Sequence, residues 1–153
     1  MKTRRLLALA LLAQAIWLGG IVLAPYLASR GHDAMAGRLY DAYRPFCHQM
    51  AERSLMVFGE KMAVCARCFG IYAGALAGTF VFIVAAAVGK RRGMVGMPAV
   101  LVALAPLAVD GVSQLLGLRE SGTTLRLATG LLFGSVVAYY VVDRVLSRME
   151  EPS

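Results

Sequence analysis

Charged residues are scarce in this 153-residue chain: they make up 16% of it, whereas hydrophobic residues make up 59%. Soluble domains carry about 25% charged residues, so this composition and the mean hydropathy of +0.66 indicate a membrane protein. The chain also lacks a basic stripe with interleaved aromatic residues, although its net charge is +7. Its basic residues instead cluster between apolar segments, as in membrane proteins, and this excludes nucleic acid as the expected partner.

Four apolar segments contain few polar residues, and each is long enough, alone or with its flanks, to cross a bilayer. We predict transmembrane helices at residues 6–28, 65–89, 94–117 and 123–144. Because backbone groups in lipid must be satisfied within their own segment, the expected fold is all-α, a four-helix transmembrane bundle. The whole chain is predicted to be one integral-membrane domain, with residues 29–64 forming a folded extramembrane loop.

The N-terminus begins like a secretory signal, with basic residues followed by an apolar run and a candidate cleavage site at residues 13–15. The run continues to Ala28, so we predict an uncleaved first helix, with a signal peptide as the alternative. Along the four-helix path, eight basic residues fall on each side of the membrane. The dense clusters at residues 2–5 and 90–92 favour the cytoplasm. We therefore predict a multi-pass protein of the cell (inner) membrane, with both termini inside and the loop on the outer face.

The predicted loop contains short elements. Asp33 to Tyr43 has one apolar side, which predicts a short amphipathic helix. Pro45 suits the first turn of a second short helix that bears Cys47 to Arg53. The run SLMVF-GEK-MAV, residues 54–64, predicts a small hairpin that leads into the next cysteines.

Glycines recur at every fourth residue in two of the predicted helices: Gly70, Gly74 and Gly78 in one, Gly130 and Gly134 in the other. Small residues at this spacing let helix backbones approach closely in lipid. We therefore predict that these glycines are packing contacts.

All three cysteines lie between residues 47 and 68, and the rest of the chain has none. Cys65 and Cys68 form a Cys-x-x-Cys motif at a predicted helix start, where the helix dipole and free amides lower a thiol pKa. Cys47 is followed by His48 in the loop. Three thiolates and one imidazole are an ordinary tetrahedral zinc set, so these four residues are the predicted ligands and zinc is the suspected metal.

The fourth ligand of this metal site and two alternatives to the site remain open. Because adjacent Cys47 and His48 do not always reach one ion, water or Asp110 is another candidate for the fourth position, and an open position favours catalysis. In the first alternative, Cys65 and Cys68 form a redox disulfide with Cys47 as the resolving thiol. In the second, Cys47 only staples the loop to the second helix, which leaves one thiol free.

Polar residues of the third and fourth helices are predicted to meet the cysteines at one membrane face. Asp110 and Gln114 lie one turn apart near the end of the third helix, and we treat them as the candidate catalytic residues. The alternative for Asp110 is an ion pair with Arg119 or Arg126 that locks two helices. The alternative for Gln114 is an interhelical hydrogen bond.

The turn LRESGTTLR, residues 118–126, is rich in cations and hydroxyls. Together with the start of the fourth helix, it predicts a site for phosphate or carboxylate. The alternative is a polar turn that caps the helix. The candidate anion-binding residues are Arg53 in the loop and, in this turn, Arg119, Glu120, Ser121 and Arg126.

The candidate site residues belong to a longer series of short motifs along the chain. These motifs are Cys47-His48-Gln49, Arg53-Ser54, Gly59, Cys65 to Cys68, Gly70-Ile71-Tyr72, Gly74, Asp110-Gly111, Gln114, Gly117, Arg119-Glu120-Ser121, Arg126 and Thr129-Gly130. As a set they resemble a small prokaryotic membrane family known as domain of unknown function 2085. The resemblance covers roughly residues 40–135 and departs at Gly122, where a threonine is expected after the serine. It implies a four-helix membrane protein and implies no activity.

The chemistry of these residues favours a membrane metalloenzyme, a hydrolase or transferase acting on an anionic amphiphile such as a lipid-linked phosphate. In this hypothesis the partners are the bilayer and that substrate. The main alternative is a thiol–disulfide oxidoreductase coupled to a membrane quinone. A structural zinc subunit is another, as is a small transporter of metal or anions, which would have to oligomerise because the chain has no internal repeat.

Overall fold

The computed structural model describes residues 2–89, 95–117 and 120–150. These residues form five helices: α1 (Lys2–Ser29), α2 (Asp33–Tyr43), α3 (Ala66–Ala87), α4 (Met97–Leu115) and α5 (Thr123–Glu150). Between α2 and α3 lie a single 3-10 turn (Ala51–Arg53) and two antiparallel strands, β1 (Ser54–Val57) and β2 (Glu60–Cys65). The predicted fold, a transmembrane helical bundle with a small hairpin in the loop, is confirmed.

Four of the helices, α1, α3, α4 and α5, are long and apolar enough to cross a membrane. The shortest, α4, has 19 residues and is therefore about 28 Å long, close to the ~30 Å thickness of the hydrocarbon core. The longest, α1 and α5, have 28 residues each and extend beyond it. The chain is a multi-pass membrane protein.

The glycines form the close interface between α3 and α5. A Cβ added at Gly74 would collide with the carbonyl oxygen of Leu131, and one added at Gly134 would collide with that of Ile71. Gly130 lies against the Arg67 carbonyl in the same way. The predicted packing role is therefore confirmed, and the backbones of α3 and α5 touch where side chains would normally keep them apart.

Gly74→Ala is expected to destabilise the protein by about 1–3 kcal/mol, because added atoms in a close-packed interface force the neighbouring backbone to move. Gly19→Ala is the matched control, since a Cβ there meets nothing within 4 Å. The control should unfold at the wild-type temperature or slightly above, because alanine is the better helix former. Thermal unfolding in one detergent measures both, and equal effects would contradict the packing role of Gly74.

The extramembrane loop packs on the C-terminal half of α1. The Tyr43 hydroxyl donates a hydrogen bond to the Trp17 carbonyl, with 2.7 Å between the oxygens. Ile21 and Ala24 of α1 and Met62 and Val64 of β2 are buried in the same cluster. The hairpin closes at Phe58 and Gly59 with φ of 59° and 82°, the left-handed conformation of a two-residue type I′ turn. The loop is thus a folded unit that is packed against α1.

The second short loop helix predicted over Cys47 to Arg53 is wrong in extent, because only its last three residues form the 3-10 turn. Gln49 interrupts it with a left-handed φ of 52°. This conformation is held from both sides. The Gln49 side-chain amide donates to the Tyr40 carbonyl at 2.6 Å, and Lys61 Nζ donates to the Gln49 carbonyl at 3.2 Å.

Candidate metal and anion site

Cys47, Cys65 and Cys68, hereafter the thiol triad, lie at the junction of loop and membrane. Their sulfur atoms all lie within 4.8 Å of one another. Cys65 ends β2 and its extended backbone is the N-cap of α3, so Cys68 follows in the first helical turn. The Cys65 backbone amide donates to Cys47 Sγ at 3.1 Å, which ties the loop to the start of α3.

The surroundings of Cys47 favour its thiolate. Hydrogen bonds from the thiol of Cys65, and then from that of Cys68, lower the pKa of the Cys47 thiol, although burial acts in the opposite direction. A thiolate is the form of cysteine that binds metal ions. The triad therefore forms a group of sulfur donors that could hold one ion.

The imidazole nitrogens of His48 are not part of the group of possible metal-binding atoms that the three sulfurs form. Its side chain is exposed and lines the cavity beside the triad. The buried neighbours Cys47 and Gln49 face the protein interior on either side of it. The structure thus brings three of the four predicted ligands together and places the fourth on the adjoining cavity wall.

Asp110 is 3% exposed and holds three elements together. It forms an ion pair with Arg67, from the first turn of α3, and accepts a hydrogen bond from the hydroxyl of Ser121. The amide nitrogen of Gln114 lies 2.9 Å from both the carboxylate and the main-chain oxygen of Asp110. The ion pair links α3 to α4 through a partner that the sequence analysis did not consider.

Gln114 connects Asp110 to Arg126 of α5 through hydrogen bonds. Its amide nitrogen is 2.7 Å from the hydroxyl oxygen of Ser121, and its carbonyl oxygen accepts from Nε and Nη2 of Arg126 at 3.2 and 2.9 Å. The predicted interhelical hydrogen bond of Gln114 is therefore present. We call the five connected residues the polar network: Arg67, Asp110, Gln114, Ser121 and Arg126.

The thiol triad and three residues of the polar network, Arg67, Gln114 and Arg126, line one cavity of about 310 Å³. Arg126 is only 6% exposed, and in the described part of the chain its hydrogen bonds go to the neutral Gln114 oxygen. No aspartate or glutamate is among the described residues that line the cavity, so its lining is cationic. The lining residues are Phe46, Cys47, His48, Gln49, Met50, Arg53, Cys65, Arg67, Cys68, Gln114 and Arg126.

The predicted anion-binding residues occupy different positions. Arg126 and the exposed Arg53 both line the cavity, whereas Ser121 is buried behind it against Asp110. Glu120 is exposed in the turn before α5 and is not one of the lining residues described. Arg119 lies outside the described residues.

Sequence reasoning missed Arg67. It lies between two cysteines of the Cys-x-x-Cys motif, and its guanidinium lines the cavity while pairing with Asp110. The available signal was a cation in the first turn of a membrane helix, at the same face as an intramembrane acid. In the sequence analysis, Arg67 was used only as one of the basic residues that flank the membrane segments, and it was therefore not considered as a partner of Asp110.

Comparisons with known proteins find relatives in archaea. A family model described as "Predicted membrane protein (DUF2085)" matches residues 47–140, a range that includes the thiol triad and the polar network. "Uncharacterized protein MJ1492" of Methanocaldococcus jannaschii is 41% identical over 142 residues, covering 88% of each chain. An "Uncharacterized protein" of Methanothermobacter thermautotrophicus is 36% identical over 107 residues, covering 70% of this chain and 92% of that one. No solved structure matches.

Proposed function

Because the chain belongs to the predicted membrane proteins of the DUF2085 family, we propose that it binds zinc at its thiol triad and an anionic amphiphile beside the ion. A single observation carries this proposal: the sulfur triad and the buried cation Arg126 line the same cavity. A buried charge is costly unless it is paired, so a cation whose hydrogen bonds go to a neutral amide favours an anionic ligand.

Zinc fits the donors that are present. Cys47, Cys65 and Cys68 offer three sulfurs within 4.8 Å of one another, and zinc takes thiolates as ligands. His48 lines the same cavity and is our candidate for the fourth ligand; water or substrate would fill that position in an open, catalytic site. When bound, zinc polarises a substrate oxygen or lowers the pKa of bound water.

The protein's own residues would bind and orient the anion. Arg126 and Arg53, which both line the cavity, would neutralise its charge, and Arg67 would add a third guanidinium. Asp110 lies behind Arg67 and does not appear among the described lining residues, so we assign it a positioning role through that ion pair. The proposed reaction class is a hydrolase or transferase acting on a lipid-linked phosphate. We retain the outer face of the cell membrane as the proposed location of the site.

Arg126→Gln should lower the affinity of the zinc-loaded protein for inorganic phosphate by about 10- to 100-fold, because a hydrogen bond to a charged group is lost. Arg144→Gln is the matched control, since Arg144 is exposed on the same helix and its guanidinium lies 5.3 Å from the ring centre of Tyr140. Titration calorimetry in one detergent measures both variants. An equal loss in the control would attribute binding to general positive charge and contradict the site.

A second candidate function is thiol–disulfide exchange with a membrane quinone, and the mutual proximity of the three free thiols favours it. Two thiols would lose two electrons and two protons to the quinone, forming one disulfide and one quinol. Counting free thiols in the purified protein separates this function from zinc binding, because a zinc-loaded triad remains fully reduced.

A further inference from the structure

A second cavity of about 310 Å³ lies between α1 and α3. We call it the α1–α3 groove; it is lined by Ala13, Gln14, Trp17, Tyr72 and Ala75. At 1.5 Å per residue, Tyr72 and Ala75 lie about 9 and 14 Å below the first residue of α3. Both helices can span the membrane, so the groove lies at the depth of hydrocarbon chains.

An aromatic wall joins the groove to the site cavity. Phe46 lines the site cavity and is 57% exposed, and its ring packs edge-on against Trp17 with 5.1 Å between centroids. Trp17 in turn packs against Tyr72 at 5.8 Å, and both line the groove. Aromatic rings in mutual contact therefore connect the lining of the cationic cavity to the lining of the groove.

A polar atom in the groove suggests what binds there. The indole Nε1 of Trp17 is buried beside the Tyr72 side chain, and it makes no hydrogen bond of ordinary distance and angle among the residues that the structure describes. Buried donors are normally satisfied, so this one fits a ligand that carries an acceptor oxygen. Trp17 lines the groove and its ring contacts Phe46 of the site cavity, so the oxygen-bearing linkage between an anionic head and an apolar chain would lie beside it.

We propose that the α1–α3 groove holds the hydrocarbon chain of the anionic amphiphile, with its linkage oxygen against the Trp17 indole and its head in the site cavity. This inference rests on the proposed function, because the anion that fixes the head is the one assigned to Arg126. The proposed substrate is thus a lipid with an anionic head group, and it would enter the site laterally from the bilayer.

The test compares inorganic phosphate with dodecyl phosphate on the zinc-loaded protein in one detergent. Ala75→Leu places a larger side chain in the groove and should weaken dodecyl phosphate binding about tenfold, equivalent to losing the burial of roughly two methylene groups. Inorganic phosphate should bind as it does to the wild type. Ala13→Leu narrows the groove from α1 and repeats the test if Ala75→Leu does not fold.

Ala108→Leu is the matched control, because Ala108 lines a different apolar groove on α4 with Val109 and Val112. It should change neither affinity. If Ala75→Leu and Ala13→Leu bind dodecyl phosphate as the wild type does, the groove holds only bulk lipid and the chain site is wrong, while the anion site stands. If the wild type binds neither phosphate, the proposed function fails and this inference fails with it.

Discussion

Cys68→Ser is expected to reduce bound zinc from about one ion per chain to less than about a tenth of that, because the triad would lose one of its three sulfur ligands. Cys65→Ser should do the same, since the three sulfur atoms lie within 4.8 Å of one another and form a single group. Elemental mass spectrometry of detergent-purified protein gives the metal content. Free-thiol counting on the same samples gives the oxidation state of the cysteines that remain.

His48→Ala is the informative companion to these variants. Zinc that persists in it would identify the site as three sulfurs with an open fourth position, which is the arrangement that catalysis requires. Zinc that is lost with it would make the imidazole a ligand and favour a structural site. If the wild-type protein contains no metal, and two of its thiols become detectable only after reduction, the zinc proposal is wrong. Quinone reduction would then be the next assay.

Asp110→Asn is expected to lower the free energy of unfolding by about 3 kcal/mol, because it leaves the Arg67 guanidinium without its counter-charge. We take the low end of the usual range because a quarter of the Arg67 side chain is exposed while Asp110 is buried. The loss should appear in metal-free protein, measured by thermal unfolding in detergent. Measuring apo protein keeps this effect separate from any change in zinc affinity.

The double variant Asp110→Asn, Arg67→Met tests the reason for that loss. Removing both charges should recover a large part of the stability, because the cost lies in the unpaired cation rather than in the missing carboxylate. If the double variant is no more stable than Asp110→Asn, the ion pair is not the source of the effect. The hydrogen bond from Ser121 to Asp110 would then be the main contribution.

Much of the fold follows from the sequence, because its signals are local. The four membrane-spanning helices were predicted from the apolar composition and the length of their segments, and α2 has the predicted bounds, Asp33 to Tyr43. Gly74 and Gly134 belong to series of glycines spaced four residues apart, and this spacing predicts close packing of helices in a membrane. The hairpin was predicted from two short apolar runs on either side of the sequence GEK, and the structure places its turn at Phe58 and Gly59.

The site was predicted only in part, because its geometry depends on contacts between distant residues. The sequence grouped the cysteines and placed Asp110 at their membrane face, yet the partner of Asp110 depends on how α3 and α4 are rotated. The left-handed Gln49 was not predictable, since the Tyr40 and Lys61 contacts that hold it form only after the loop folds. The cationic cavity emerges only when the loop, α3, α4 and α5 come together.

The glycine contacts between α3 and α5 also determine which walls of the site can move. Gly130 touches the Arg67 carbonyl, so α3 and α5 interlock at the level of Arg67, one turn from Arg126. If one helix moved along the other by one turn, it would shift by about 5.4 Å along an interface that has no room for a methyl group at its glycines. The Arg67–Arg126 side of the cavity is therefore its rigid side, and we expect changes in the width of the cavity to come from the exposed loop segment that carries His48.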